Sequence, residues 1–301
     1  MILSGVLAPI PTPFDDAGAV DAGKLRAALA RFVKGPLTGF IILGSNGEAV
    51  LLDEDESDRV IAAAREVVPK DRTFIVGTGR ESTQATVHAT KRAAELGADA
   101  VLVRTPGFFK SQMTNDAFVR HYTTVADASP VPVLLYNFTA LTGVNLLPAA
   151  VARLASHPNI VGMKESGGDI LHIADLVSGT PDEFNVFAGS ASTFYPALAV
   201  GCVGGILALG CVVPGMCVRL FELVRAGRHD DARALQRQIV PLARLLGPTY
   251  GVPGLKAALA LIGYDLGVPR APLARVPDTA IASIRETLAQ YEELHVQSAA
   301  R

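Results

Sequence analysis

Two textures of apolar and polar positions alternate along the chain. Short runs rich in β-branched and other apolar residues are each followed by an alanine-rich stretch with helical periodicity. Most of the short runs are apolar throughout, which is typical of parallel strands covered on both faces. The strands predicted in this way cover residues 5–9, 39–43, 73–77, 98–104, 131–136, 160–164, 184–188 and 204–209.

The stretches between these runs predict helices. Their apolar positions recur with helical spacing, and Asp53 with Glu56 three residues later indicates an N-cap and a capping pair. Beyond residue 211 the strand-like runs stop and only helical stretches follow. The predicted helices cover residues 21–33, 54–67, 82–96, 115–127 and 147–156, then 215–226, 230–246, 252–262 and 278–294.

Eight strand–helix units fit within residues 1–212, with the spacing expected of βαβ units. We therefore predict a (β/α)8 TIM barrel over residues 1–212, with a C-terminal helical extension over residues 213–301. The rival fold is a doubly wound open sheet. It would be favoured by a GxGxxG fingerprint, but "GTGRES" at 77–82 and "GGILALG" at 204–210 both fail that pattern.

Composition narrows the classes of partner. Half of the 301 residues are hydrophobic and 19% are charged, which is enough for a large core. The net charge of −2, without a basic stripe or polybasic segment, favours neither nucleic acid nor a membrane surface as a partner. No signal peptide and no membrane span are recognisable. Cys202, Cys211 and Cys217 lack CxxC spacing, so we expect no disulfide framework, no metal site and a cytoplasmic location.

Lys164 stands out because it ends the apolar run of the sixth predicted strand. Active sites of such barrels lie at the C-terminal ends of the strands. Tyr136 ends the neighbouring strand, and parallel neighbours are about 4.8 Å apart, so both side chains can reach one place. Burial disfavours an ammonium ion, and a neutral amine attacks carbonyls to form a Schiff base. Tyr136 would then move protons, with Ser45 as a relay. No cofactor is needed.

Simpler roles are open for the same residues. Lys164 has an equal claim to a structural ion pair with Glu165 or another carboxylate. Tyr136 taken alone is better explained as a packing residue, and "GSNGE" at 44–48 taken alone as a turn. His121, His157 and His172 sit singly on helices or at helix ends, where solvated or capping roles are expected.

Three separated motifs nevertheless resemble one family. "GSNGEAVLLDEDE" at 44–56, "LLYN" at 134–137 and "GMKESGGD" at 162–169 are similar to signatures of the dihydrodipicolinate synthase / N-acetylneuraminate lyase superfamily, and "APIPTPF" at 8–14 fits as well. The resemblance spans nearly the whole chain. It implies a TIM barrel with a helical extension, Schiff-base chemistry on pyruvate and a homotetramer built as a dimer of dimers.

The resemblance also implies roles for individual residues. Lys164 matches the Schiff-base lysine, and Tyr136 matches the tyrosine of the family. Ser45 and Asn46 match the pair that binds the pyruvate carboxylate, and Ile206 matches the apolar residue beside the pyruvyl group. Ser166, which follows the sixth strand, is predicted to line the same mouth.

Within the superfamily, "RESTQAT", "SPVPVLLY", "HPNIVGMKESGGD" and "GVPGLKAAL" most resemble 4-hydroxy-2-oxoglutarate aldolases. Two departures bear on the second substrate. Leu141 stands where synthases of the family carry an arginine for that substrate's carboxylate. Phe108 and Phe109 stand where relatives have a tyrosine that completes a hydroxyl relay.

The expected activity is a class I aldolase that cleaves a 4-hydroxy-2-oxo acid to pyruvate and an aldehyde. The first substrate expectation is 4-hydroxy-2-oxoglutarate, which gives glyoxylate. The alternatives are a 2-keto-3-deoxy sugar acid and the synthesis of 4-hydroxy-tetrahydrodipicolinate. From a different class of protein, the chain would be a sensor that binds an oxo acid without turning it over.

Overall fold

The computed structural model describes residues 3–291 and 294, and its centre is a closed barrel of eight parallel strands. Each strand pairs with the next along the chain, and β8 closes the barrel by pairing with β1. The fold predicted from the sequence is therefore confirmed. The strands are β1 Gly5–Pro9, β2 Gly39–Ile42, β3 Thr73–Gly77, β4 Ala100–Arg104, β5 Val133–Asn137, β6 Ile160–Glu165, β7 Asn185–Ala188 and β8 Gly204–Ile206.

Helices surround the barrel and continue beyond it. The first eight lie between successive strands, with both α5 and α6 between β5 and β6, and the last four follow β8 without a further strand in the described residues. The helices are α1 Ala22–Phe32, α2 Glu54–Arg65, α3 Thr83–Glu95, α4 Asn115–Ala128, α5 Thr139–Thr142, α6 Pro148–Leu154, α7 Ile170–Ser178, α8 Phe194–Ala199, α9 Pro214–Arg225, α10 His229–Arg244, α11 Gly251–Leu261 and α12 Asp278–Leu288.

Side chains divide into two cores because successive residues of a strand point to opposite faces. One core fills the barrel, and the other packs between the strands and the helices. The interior core consists of Leu3, Leu7, Ile41, Ile75, Ala100, Leu102, Leu134, Tyr136, Phe187 and Ile206. A strand residue of the interior core therefore points into the barrel, and a strand residue of the other core points toward the helices.

Local signals explain most helix boundaries. The Asp53 carboxylate accepts the backbone N–H of Glu56 at 2.7 Å, and the Glu56 carboxylate accepts that of Asp53 at 3.2 Å, so the predicted capping box is confirmed. Beyond α10, residues Leu245–Thr249 form a π-helical turn that contains Pro248. A proline has no N–H to donate, so the regular hydrogen-bond pattern is interrupted at Pro248.

The predicted and observed elements differ mainly at their ends. The prediction extended β8 to residue 209, but residues Ala208–Cys211 form a 3₁₀ turn. The bounds of α5, α7 and α8 had no prediction, because these helices are short and start close to glycines or strand ends. The last predicted helix is observed as α12, and residues 292 and 293 of that prediction lie outside the described residues. The boundary between the barrel and the C-terminal extension as separate domains stays a prediction.

Among the described helices, none combines the length and the apolar character needed to cross a bilayer.

Candidate active site

Lys164 and Tyr136 occupy paired positions near the C-terminal ends of β6 and β5. On the other side, Lys164 pairs with Phe187 of β7, and both of its partners belong to the interior core. Lys164 is only 6% exposed, and its Nζ lies 4.7 Å from the centre of the Tyr136 ring. The amine therefore lies inside the barrel mouth beside the phenol, as the strand spacing predicts.

The neighbouring Glu165 does not pair with this amine. It points to the outer face of the strand, where its carboxylate accepts the side-chain N–H of Asn137 at 2.7 Å and the backbone N–H of Gly167 at 2.5 Å. Within residues 3–291 and 294, no carboxylate oxygen lies within 4.0 Å of the Lys164 Nζ. The structure thus gives no support to a structural ion pair for Lys164.

Two histidines differ from the prediction. His172 is not at the surface: its Nε2 lies 3.4 Å from the Glu165 carboxylate, which raises the pKa of His172. His121 is buried, and its Nδ1 lies 2.9 Å from the Thr83 hydroxyl. The pKa of His121 is lowered to about 4, chiefly because the imidazole is buried and to a smaller extent because of the positive charge of Arg104. Helical position alone could not predict either environment, because neighbours distant in sequence cover these side chains.

Ser45 belongs to the turn that follows β2, and its Oγ lies 3.1 Å from the Tyr136 hydroxyl. The turn is closed by the N–H groups of Gly47 and Glu48, which donate to the carbonyls of Gly44 and Ser45. In the described part of the chain, the backbone N–H groups of Ser45 and Asn46 donate to no protein atom. Adjacent free N–H groups of this kind form a concave site for an anion.

Other residues predicted for the site lie at different depths. Ile206 is fully buried in the interior core at the end of β8. The Ser166 Oγ, just beyond β6, is buried without a hydrogen-bond partner in the described residues. Leu141, in contrast, is 64% exposed on α5. Phe108 and Phe109 are 77% and 69% exposed on the loop after β4, and their rings contact each other edge to face. The structure does not bring these three side chains into the buried part of the site.

The sequence analysis missed a second buried lysine. Lys256 of α11 is 2% exposed, and its Nζ lies 2.7 Å from the carboxylate of Glu48, the last residue of the "GSNGE" turn. Burial lowers the pKa of Lys256, and the Glu48 carboxylate opposes that effect. The available signal was a single lysine inside an otherwise apolar helix. No group of three or more His, Cys, Asp or Glu residues suited to a metal ion occurs among the described residues.

The closed barrel with a buried interior amine is the arrangement expected of a Schiff-base lyase of the (β/α)8 class. The chain belongs to the dihydrodipicolinate synthetase family, whose model matches residues 2–291. The predicted resemblance, and with it a pyruvate-dependent lyase, is confirmed at the level of the family.

Individual relatives carry two different activities. The chain is 36% identical over 293 residues to 4-hydroxy-tetrahydrodipicolinate synthase of Exiguobacterium sp. AT1b, covering 97% of this chain and 99% of that one. It is 35% identical over 302 residues to a probable mitochondrial 4-hydroxy-2-oxoglutarate aldolase of Emericella nidulans, covering 98% and 97%. It superimposes with a TM-score of 0.91, at 28% identity and with coverage of 98% and 99%, on a dihydrodipicolinate synthase of Acinetobacter baumannii complexed with pyruvate.

Proposed function

We propose that the chain forms an imine between Lys164 and pyruvate and uses it to make or break a carbon–carbon bond to an aldehyde. The observation that carries this proposal is the buried Lys164 amine, unpaired with any carboxylate of the described residues and 4.7 Å from the Tyr136 ring. A lysine in this setting is rare unless its amine is used, because burying an ammonium without a partner is unfavourable.

The chemistry balances with the groups present. The amine adds to the ketone carbon of pyruvate, and the carbinolamine then loses water to give the imine. The imine draws electrons from the adjacent methyl carbon, which loses a proton and becomes the nucleophile toward the aldehyde. In the cleavage direction, the same carbon accepts the electron pair of the breaking bond. The Tyr136 hydroxyl, with the Ser45 hydroxyl 3.1 Å away, carries protons to and from the reacting oxygens.

The pyruvate carboxylate is assigned to the turn after β2. The free backbone N–H groups of Ser45 and Asn46 are donors suited to a carboxylate, and the Ser45 hydroxyl adds a third. Ile206, buried in the interior core, supplies an apolar contact for the methyl group. The buried Oγ of Ser166, without a hydrogen-bond partner among the described residues, is assigned to a polar group of the second substrate.

For the second substrate, the names of the relatives favour the predicted alternative over the main prediction. The first-mentioned relative forms 4-hydroxy-tetrahydrodipicolinate, and we place that synthesis first. The Lys110 ammonium lies beside Gly143, two residues after Leu141, and we propose that it supplies to an acidic second substrate the charge that Leu141 lacks.

Cleavage of 4-hydroxy-2-oxoglutarate is the second candidate. It is favoured by Leu141, which lacks the charge that synthases of the family use, and by the probable aldolase of Emericella nidulans at 35% identity.

We further propose a homotetramer and a cytoplasmic location. Exposed Phe108, Phe109 and Leu141 offer an apolar surface for subunit contact. Light scattering of the purified protein tests the tetramer.

Reductive trapping tests the imine. The protein is incubated with pyruvate and borohydride, and peptides are then mapped by mass spectrometry. We expect a reduced pyruvate adduct on Lys164 and none in Lys164→Met, which retains a buried unbranched side chain. Lys91 of α3 is the internal control, because its exposed amine reports non-specific adducts. An unmodified Lys164 contradicts the proposal.

Assays of the purified protein without borohydride identify the second substrate. Pyruvate is supplied with a panel of aldehydes, and separately 4-hydroxy-2-oxoglutarate is supplied alone. Formation of 4-hydroxy-tetrahydrodipicolinate supports the first candidate, and release of glyoxylate supports the second. Condensation with a sugar aldehyde of the panel would support a 2-keto-3-deoxy sugar acid, and imine formation without turnover of any of these compounds would favour the sensor.

A further inference from the structure

The turn that carries Ser45 and Asn46 is held in an unusual backbone conformation. Leu43 and Glu48, the non-glycine residues on either side of it, have φ angles of 54° and 55°. Side chains with a Cβ rarely adopt this left-handed region, and such residues persist only where surrounding contacts hold them. The Thr12 hydroxyl donates to the Gly47 carbonyl at 2.6 Å, which fixes one point of the turn. A second constraint must act on Glu48.

The Glu48 side chain is fully buried, and both of its oxygens are held by the C-terminal extension. Oε1 lies 2.7 Å from the Lys256 Nζ, and Oε2 accepts the backbone N–H of Arg270 at 2.8 Å. The Lys256 ammonium also donates to the Val268 carbonyl at 3.1 Å and lies 4.3 Å from the centre of the Phe14 ring. The Lys256 Nζ and the Glu48 Oε1 do not meet hydrogen-bond geometry, so these two side chains attract each other chiefly as opposite charges.

The extension is itself anchored to the barrel, so it can act as a fixed support. The Arg270 guanidinium makes two contacts with the Glu56 carboxylate, at 2.6 and 2.7 Å. It also donates to the carbonyls of Gly18 and Leu51. Bidentate pairs of this kind fix orientation as well as distance. The helix that carries Lys256 and the loop that carries Arg270 thus both hold Glu48, the last residue of the turn.

We propose that Lys256, acting through its buried ion pair with Glu48, is a positioning residue that holds Ser45 and Asn46 in the conformation that binds the pyruvate carboxylate. Part of the proposal rests on the proposed function, since it takes this turn as the pyruvate site. Lys256 is not a second nucleophile, because Glu48 and the Val268 carbonyl occupy its amine. Loss of Lys256 leaves the buried Glu48 carboxylate without its charge partner, so the constraint on Glu48 is weakened even though the Arg270 N–H still contacts it.

The test compares Lys256→Met with Leu259→Ala, a fully buried change on the same helix. We expect both variants to lose stability, but Lys256→Met alone removes the ion pair with Glu48. Hydrogen exchange is measured on peptides covering residues 43–49, well below the melting temperature of every variant. We expect exchange at least about tenfold faster in Lys256→Met and close to that of the original protein in Leu259→Ala.

The second readout is the pyruvate concentration at which half of Lys164 is trapped by borohydride. We expect this concentration to rise about tenfold in Lys256→Met, equivalent to about 1.4 kcal/mol. The rate of borohydride trapping at saturating pyruvate should stay within about threefold of that of the original protein. Glu48→Gln keeps the shape of the side chain and removes its charge, so it carries the test if Lys256→Met does not fold. Exchange and half-saturation that match Leu259→Ala would overturn the proposal. If the original protein forms no imine, the proposed function fails, and exchange alone decides the role of Lys256.

Discussion

Replacing Tyr136 by phenylalanine removes a single oxygen from the site, and the structure allows its effects on rate and stability to be separated. Among the described residues, the lost hydroxyl makes one hydrogen bond, with the Ser45 Oγ at 3.1 Å. A hydrogen bond of this type contributes about 0.5–1.5 kcal/mol to stability. Positioned acid–base catalysis contributes roughly 10²–10⁴ in rate. At about 1.4 kcal/mol for each factor of ten, that is roughly 3–5 kcal/mol of transition-state stabilisation.

Tyr122→Phe is a matched control, because Tyr122 is fully buried and its hydroxyl donates to the Val103 carbonyl at 3.2 Å. Both variants lose one buried hydroxyl and one hydrogen bond. We expect similar small losses of stability in thermal melts. Only Tyr136→Phe should lower kcat for pyruvate condensation by the factor above, while still giving the borohydride-trapped adduct on Lys164. The role assigned to Tyr136 is refuted if the two variants turn over at equal rates.

Two further predictions concern stability and pH. The Arg270 guanidinium lowers the pKa of Glu56, so the stability that Glu56 contributes is present above its ordinary value of 4.5 and is lost as pH falls through the lower folded value. The melting temperatures of the original protein and Glu56→Gln should therefore differ most at neutral pH and converge as the pH falls below 4.5; a difference that stays constant from pH 7 down to the lowest pH at which both proteins are folded contradicts this. The Glu165 carboxylate raises the pKa of His172, so that contribution is present below the ordinary value of 6.5 and is lost as pH rises through the higher folded value. His172→Gln should differ most from the original protein near pH 6 and least near pH 9, and unchanged melting differences across this range would exclude the ion pair.

The sequence by itself determined the architecture and the two central residues of the candidate site. Runs that are apolar throughout require cover on both faces, and their regular alternation with helices leaves the barrel as the consistent arrangement. Because neighbouring strands lie at a fixed spacing, two strand-end residues such as Lys164 and Tyr136 are brought together without knowledge of any other contact.

Only the tertiary structure decided which buried lysine is paired. Lys164 and Lys256 both interrupt apolar segments, yet Lys256 contacts a carboxylate and Lys164 does not within the described residues. The support of Glu48 also includes the backbone N–H of Arg270, 222 positions away in sequence. Periodicity and capping signals act over a few residues, whereas such partners are chosen when distant segments pack. For the same reason, the exposure of Leu141 and the contact between His172 and Glu165 could be found only in the folded chain.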